Sequence, residues 1–380
     1  MDILKFSEEH NKFRQHVRNF VNTKIVPNVE EWTKDRLMPK GMWKQMGEAG
    51  LLCPDMPREY GGKGGDFLCS VIVSEEMIKT GFFGAAPTAH SDIFVPYIAA
   101  YASKEQKHKY LPGCVSGDVI TAIAMTEPDA GSDLASMKTT VEEDGDTVVF
   151  NGSKIFISNG IVCDLLILAA KDPLEDDPHK AISLYLVEEG TPGFVRGAKL
   201  EKMGMHYQDT AELFFTDCRV PKANLLGDKG GGFKMLMDKL QQERLVVCIW
   251  AVSAAEYMLE KTLEFYKEHA GTGKQVPKSQ ANQFALVEMA TEVKLGRIFL
   301  DRLLVDHMAG ENVVVETSME KFWATDMVNR VADRCLDIFG MAGNFDSCPI
   351  MRMSKDIKAS KIYAGTNEIM KTIIAKYMKV

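Results

Sequence analysis

Three textures of apolar and polar positions succeed one another along the chain. In the first, apolar residues recur at helical spacing. Phe13, Val17, Phe20 and Val21 fall on one side of a helix expected over 7–33, with Ser7-Glu-Glu-His as its start. Further helices are expected over 40–49, stopped at Gly50, and around 67–80 and 91–102. Lys104-Glu-Gln-Lys-His-Lys109 reads as a solvated helix face that Leu111-Pro-Gly113 interrupts. Tyr60-Gly-Gly-Lys-Gly-Gly65 lacks the strand–loop–helix setting and the Lys-Ser/Thr ending of a phosphate loop, so it reads as a turn.

From Asp118 to about Leu226 the texture turns to strand. Val119-Ile-Thr-Ala-Ile-Ala-Met125 is an apolar strand. Val141-Glu-Glu-Asp-Gly-Asp-Thr-Val-Val-Phe150 reads as strand, Asp-Gly turn, strand. Leu165-Leu-Ile-Leu-Ala-Ala170 and Ile182-Ser-Leu-Tyr-Leu-Val187 read as buried strands, and Glu212-Leu-Phe-Phe-Thr-Asp-Cys-Arg-Val220 closes the region. From Gly232 long helical patterns take over, roughly over 280–309, 314–339 and 353–380. Val246-Val-Cys-Ile-Trp-Ala-Val252 is apolar all round, as in a helix buried on every side. The expected architecture is α+β and multidomain: an N-terminal helical domain over 1–115, a small β-barrel or sandwich over 116–228, and a C-terminal four-helix bundle over 229–380.

Composition narrows the function classes. The 380 residues, 46% hydrophobic, suffice for two or three domains with a large core. A net charge of −8 without a Lys/Arg block argues against a nucleic-acid partner. The eight cysteines are scattered, with no metal-ligand spacing, which fits a reduced compartment and no metal. The first residues are too polar for a signal peptide, and no apolar run spans a membrane, so a soluble cytoplasmic protein is expected.

Candidate chemistry centres on Ala124-Met-Thr-Glu-Pro-Asp-Ala-Gly-Ser-Asp133. Pro128 and Gly131 punctuate this loop, and its hydroxyls and carboxylates suit either an ordinary surface turn or the edge of a flat polar ligand. Two later stretches pair with it: Asn151-Gly-Ser-Lys-Ile-Phe-Ile-Ser-Asn-Gly160 and Ile362-Tyr-Ala-Gly-Thr-Asn-Glu-Ile-Met370. Together, in order and over nearly the whole chain, the three resemble the signatures of the acyl-CoA dehydrogenase flavoproteins. Gln242-Glu-Arg-Leu245 and Tyr363-Ala-Gly-Thr-Asn-Glu368 resemble the long-chain and isovaleryl-type branch.

The resemblance implies FAD between the β domain and the bundle, an acyl-CoA substrate, an electron-transfer flavoprotein as electron acceptor, and a homotetramer. It places Met125 and Thr126 at the flavin edge and Phe156 and Ser158 against the ring. Thr366 and Glu368 fall at the ribityl and pyrophosphate part, and Ser132 near the CoA moiety. Phe156 taken alone also reads as a core aromatic. Arg244 reads as a helix-turn residue or a contact to the nucleotide end of CoA. The FAD-tail site departs from the family. His269-Ala-Gly-Thr-Gly273 stands where members carry Arg, then Phe-Gly, and Asp337 and Met341 replace a Gln and a Gly. A guanidinium fork grips phosphate better than an imidazole, so His269, Thr272, Asp337 and Met341 imply a different or looser hold, while Gln280 and Gly340 persist.

The implied reaction removes an α-proton and a β-hydride. Most members carry the basic Glu directly after the tyrosine; Ala364 stands there and cannot act as a base, but leaves room beside Tyr363 for a branch or ring. Two acids can replace it. Glu243 matches the base of the long-chain and isovaleryl branch, or else is a helix-start residue paired with a cation. Asp92, in Thr88-Ala-His-Ser-Asp-Ile-Phe94, lines up with a segment bordering the acyl pocket. It is exposed or capping, binds a polar substrate group, or is a second base for 1,4-elimination on a cyclic enoyl thioester. The expected substrate is a branched or alicyclic acyl group of the cyclohexane- or cyclohexene-carboxyl type. The alternative from another class is a flavin-poor, non-catalytic binding protein.

Overall fold

A computed structural model describes residues 3–271 and 276–380. The first helical pattern resolves into α1 (Glu8–Phe20), a π-helical turn over Val21–Ile25, a 3-10 turn over Val26–Asn28 and α2 (Val29–Asp35). One continuous helix over 7–33 therefore does not form. Pro27 has no N–H to donate, and the ladder changes register around it. Ser7 starts α1 as a capping box with His10.

Next come α3 (Lys40–Glu48), α4 (Phe67–Ile78), α5 (Ala85–Ala89), α6 (Val95–Tyr101) and α7 (Lys104–Ser116). The segment expected as one helix over 91–102 is instead a π-helical turn, His90–Phe94, running into α6. Nor does Leu111-Pro-Gly113 break α7. The helix continues through Pro112 to a left-handed Gly117 at φ 78°. The carbonyl that loses its partner belongs to His108, which is exposed, so water can satisfy it.

The middle of the chain forms one eight-stranded sheet. Its strands are β1 (Thr121–Ala124), β2 (Thr140–Asp144), β3 (Thr147–Ser158), β4 (Leu165–Lys171), β5 (Ile182–Glu188), β6 (Phe194–Lys199), β7 (Thr210–Pro221) and β8 (Leu225–Leu226). Their order is β6-β7-β3-β2-β4-β5-β8, with β1 pairing parallel to β4. The apolar run of β4 has a simple cause. Leu165, Ile167 and Ala169 join the core shared with the helices, while Leu166, Leu168 and Ala170 join the sheet's own core with Phe150 and Leu213. Side chains alternate across a strand, so a strand packed on both faces has no polar position to spare.

The last third holds α8 (Gly232–His269), α9 (Gln280–Met308), α10 (Val314–Phe339), α11 (Pro349–Asp356) and α12 (Asn367–Met378). Every residue of α8 from Glu243 to Ala255 is buried, as the all-round apolar pattern implies. The expected fourth helix over 353–380 is interrupted. Ala364 and Gly365 adopt left-handed conformations (φ 55° and 88°), and Thr366 restarts the chain as the N-cap of α12. Lys321, buried in α10, donates to Gly365 O (2.7 Å) and Asn367 Oδ1 (3.1 Å) and fixes this loop. No helix among the described residues is long and apolar enough to cross a membrane.

Candidate active site

Loop 125–133 is anchored by buried charge. Lys154 Nζ lies 2.8 Å from Glu127 Oε1 and 3.1 Å from Met125 O. Glu127 also accepts from the backbone N–H groups of Lys138 (2.6 Å) and Thr139 (2.9 Å). Burial pulls Lys154 down to about 8. Burial pushes Glu127 up, but the ammonium and the backbone donors outweigh it and hold the carboxyl below its usual range. Thr126 O accepts from Ile155 N–H (3.0 Å), which sets the loop beside β3.

At this point β3 leaves its register with β7, between Lys154 and Ile157. Phe156 sits in the bulge at φ 61°, with its ring 65% exposed. A large aromatic held in a left-handed conformation and turned away from any core is an apolar platform. It is not the core aromatic that the residue alone suggests. Thr126 and Ser158 are half-buried beside it, and their hydroxyls make no side-chain hydrogen bond among the described residues. A flat conjugated ring with polar edges fits this pairing of open ring and free hydroxyls. Ser132 is exposed at the end of the same loop.

A second cluster is built from α6, α8 and loop 362–366. Glu243 is buried, and Tyr97 donates to its Oε1 at 2.6 Å. Burial raises the Glu243 carboxyl to about 7, against the opposing pull of Tyr97, Arg244 and Lys239. Among the described residues Glu243 Oε2 has no hydrogen-bond partner, and it is not sealed. Arg244 Nε reaches Ala364 O at 3.4 Å, which brings the Gln-Glu-Arg-Leu stretch against the Tyr-Ala-Gly-Thr loop. The Tyr363 hydroxyl is sealed without a partner, and its ring meets Trp250 edge-on at 6.1 Å. Thr366 is half-buried with its hydroxyl engaged as a cap, and Glu368 is exposed in the first turn of α12.

Asp92 lies in the π-helical turn before α6 and is buried, neither exposed nor a cap. Gln242 clips the turn to α8 through Asp92 O (2.7 Å). Burial first, then the nearby Asp55 carboxylate, raises the Asp92 carboxyl to about 8, while the Ser70 hydroxyl opposes weakly. The side chain makes no well-formed hydrogen bond, and neither of its oxygens is sealed. Asp92 and Glu243 thus flank the same helix junction with different neighbours.

The positions expected at the FAD tail fall at the ends of α8, α9 and α10. Gln280 opens α9 on the surface. Gly340 follows α10 at φ 58° and lines a cavity of about 320 Å³ with Asp337, Gly343 and Asn344. Met341 is 74% exposed. His269 is held within α8, its Nδ1 3.0 Å from Phe265 O and its ring stacked on Phe265. Thr272 and Gly273 lie outside the described residues.

Tyr97, Lys154, Glu127 and Lys321 act in this site without having been singled out in the sequence. Lys154 and Glu127 fall inside the quoted motifs, so their charge in apolar surroundings was the available signal. Elsewhere, His10, Asp66 and Cys69 bring three potential ligand atoms within 4.8 Å of one another. His10 Nδ1 accepts from Ser7 N–H, so its Nε2 carries the proton toward Asp66, and both residues serve as helix caps.

Comparison with known proteins gives matches along nearly the whole chain. The family models described as Acyl-CoA dehydrogenase N-terminal domain, middle domain and C-terminal domain match residues 7–118, 122–218 and 230–379. The mitochondrial long-chain specific acyl-CoA dehydrogenase of Rattus norvegicus is 42% identical over 372 residues, 98% of this chain and 86% of that protein. The mitochondrial isovaleryl-CoA dehydrogenase of Pongo abelii is 33% identical, over 97% of this chain and 88% of that protein. The crystal structure of an acyl-CoA dehydrogenase from Geobacillus kaustophilus superposes with a TM-score of 0.97 at 50% identity, covering 99% of each chain. Three consecutive domain matches, a common fold and a platform suited to a flavin make this chain a member of the acyl-CoA dehydrogenase family, an FAD-dependent oxidoreductase acting on acyl-CoA.

Proposed function

We propose that this enzyme dehydrogenates a branched or alicyclic acyl-CoA, with Glu243 as the base that takes the α-proton. The observation that carries this reading is the Glu243 carboxyl, buried and raised to about 7, with the next residue, Arg244, against the loop that carries Ala364. A carboxylate poorly solvated in its charged form is a stronger base, and one titrating near neutrality combines basicity with availability. Ala364 places only a methyl group where a longer side chain would crowd a branch or ring.

The other residues have matching tasks. Phe156 offers a face to the isoalloxazine, and Met125, Thr126 and Ser158 offer polar atoms to its edge. Thr366 and Glu368 face its ribityl and pyrophosphate part, with Gln280 and Gly340 toward the adenine end. Ser132 and Arg244 serve the CoA side, and Tyr363 and Ala364 the acyl side. When bound, FAD supplies the two-electron acceptor for the β-hydride. Glu243 orients toward the α-carbon, and the apolar shell of Val246, Val247 and Trp250 excludes water.

A second reading gives Asp92 the base's task in a 1,4-elimination on a cyclic enoyl thioester. It is favoured by one observation: a buried carboxyl raised to about 8, with the Ser70 hydroxyl as its one polar neighbour that opposes the rise, in the segment leading to the Glu243 partner Tyr97. Flavin bleaching by straight, branched, cyclohexane- and cyclohexene-carboxyl thioesters tests both. Glu243→Gln should abolish turnover of every substrate under the first reading. Asp92→Asn should abolish only the cyclic enoyl reaction under the second. Full activity of Glu243→Gln on all substrates overturns the first.

The flavin-poor alternative rests on His269, Thr272, Asp337 and Met341, and flavin absorbance of the purified protein decides it. We further assign three units at 1–115, 116–228 and 229–380, a homotetramer, an electron-transfer flavoprotein as acceptor, and a cytoplasmic setting consistent with eight free cysteines.

A further inference from the structure

Glu243 is held by one side-chain hydrogen bond, and its donor comes from another helix. Tyr97 on α6 is fully buried, and its hydroxyl lies 2.6 Å from Oε1. The neighbouring residue Gln242 fastens α8 to the turn that leads into α6, through Asp92 O. Two consecutive residues of α8 therefore lock onto one segment, and the Tyr97 hydroxyl cannot drift from the carboxylate without moving both helices. We propose that Tyr97 is a positioning residue for the base: it occupies Oε1 and leaves Oε2 as the oxygen that receives the substrate proton. This rests on the reading of Glu243 as base.

A free carboxylate rotates about its last bond and presents either oxygen. A donor fixed on Oε1 stops that rotation and keeps the lone pairs of Oε2 available. Proton transfer then breaks the substrate α-C–H bond and forms O–H at Oε2. The electron pair of that C–H bond becomes the new α,β double bond as the β-hydride departs to the acceptor that FAD would supply when bound, and the Tyr97 proton stays on its own oxygen throughout. The charged and titratable groups that act on Glu243 are Tyr97 from α6 and Lys239 and Arg244 from α8, with Tyr101 of α6 behind Tyr97 and Lys321 of α10 behind Arg244. Of these, only Tyr97 donates a hydrogen bond to the Glu243 carboxyl among the described residues. Removing the hydroxyl withdraws a donor that favours the carboxylate form, so the base becomes harder to ionise.

The test is Tyr97→Phe in the FAD-loaded enzyme, read as a pH profile of kcat/KM with an α-deuterated thioester alongside. The acid limb should move up by about one pH unit, the rate should fall about fivefold at pH 7 and about tenfold well below the limb, and the isotope effect should grow. In a Glu243→Gln background the same change should add nothing. An unmoved limb and isotope effect in Tyr97→Phe, with Glu243→Gln inactive, overturns the positioning role and leaves the base intact. Full activity of Glu243→Gln overturns the base itself. If Tyr97→Phe does not fold, recovery of folding in Tyr97→Phe/Glu243→Gln shows that the unpaired carboxylate was the cause and supports the pairing. Failure of the double variant to fold makes Tyr97 merely structural and overturns it.

Discussion

Lys154 and Glu127 form an ion pair 2.8 Å apart in which both side chains are almost wholly removed from solvent. The pair ties loop 125–133 to the strand that carries Phe156, and Lys154 reaches Met125 O as well. Breaking such a pair from one side strands a buried charge. Lys154→Met should therefore destabilise the protein by about 3–5 kcal/mol, whereas Lys154→Met/Glu127→Leu should recover part of that loss. Chemical denaturation of the two variants, with flavin content measured on each, checks this.

The pH dependence of catalysis follows from the same physics at Glu243. Its carboxyl is raised by burial to about 7, and it must be ionised to accept a proton. Activity is therefore lost as pH falls through that value, about tenfold per pH unit below it. Measuring kcat/KM across the range checks the limb; a limb near the ordinary carboxylate value would contradict the assignment.

Phe156 should show stability and cofactor binding moving in opposite directions. Its φ of 61° costs a non-glycine residue about 1–2 kcal/mol, and its largely exposed ring recovers little by burial. Phe156→Gly should raise the thermal midpoint of the flavin-free protein and weaken FAD retention. Thermal melts with and without added FAD separate the two effects.

Glu320 in α10 offers a test in stability alone. Both its oxygens are sealed without a hydrogen bond, and burial raises its carboxyl from 4.5 to about 8. The folded state binds a proton there that the unfolded chain releases, so its contribution is intact below the ordinary value and is lost as pH rises through about 8. Glu320→Gln should reduce the fall in thermal midpoint between about pH 5 and about pH 8 by an amount worth about 1 kcal/mol or more.

Local pattern determined much of this protein. The period of apolar residues marked α1, α3, α4 and the long helices α8, α9 and α10, and the double-sided apolar run marked β4, because each is a choice of period that neighbouring residues settle among themselves. Ordered motifs were enough to bring loop 125–133, the Phe156 strand and the Tyr363 loop under one family resemblance. What local pattern misjudged depended on partners elsewhere in the chain. Pro112 stays in a helix because the carbonyl it abandons faces solvent, and the last helix breaks at Ala364 because Lys321, more than forty residues earlier in the chain, holds Gly365 O. The tertiary structure alone decided that Tyr97 meets Glu243, that Asp92 is buried, and that Phe156 faces outward. Hydrogen bonds and desolvation act between groups that are close in space, and the distance between Tyr97 and Glu243 is written in no segment of the chain shorter than the fold itself.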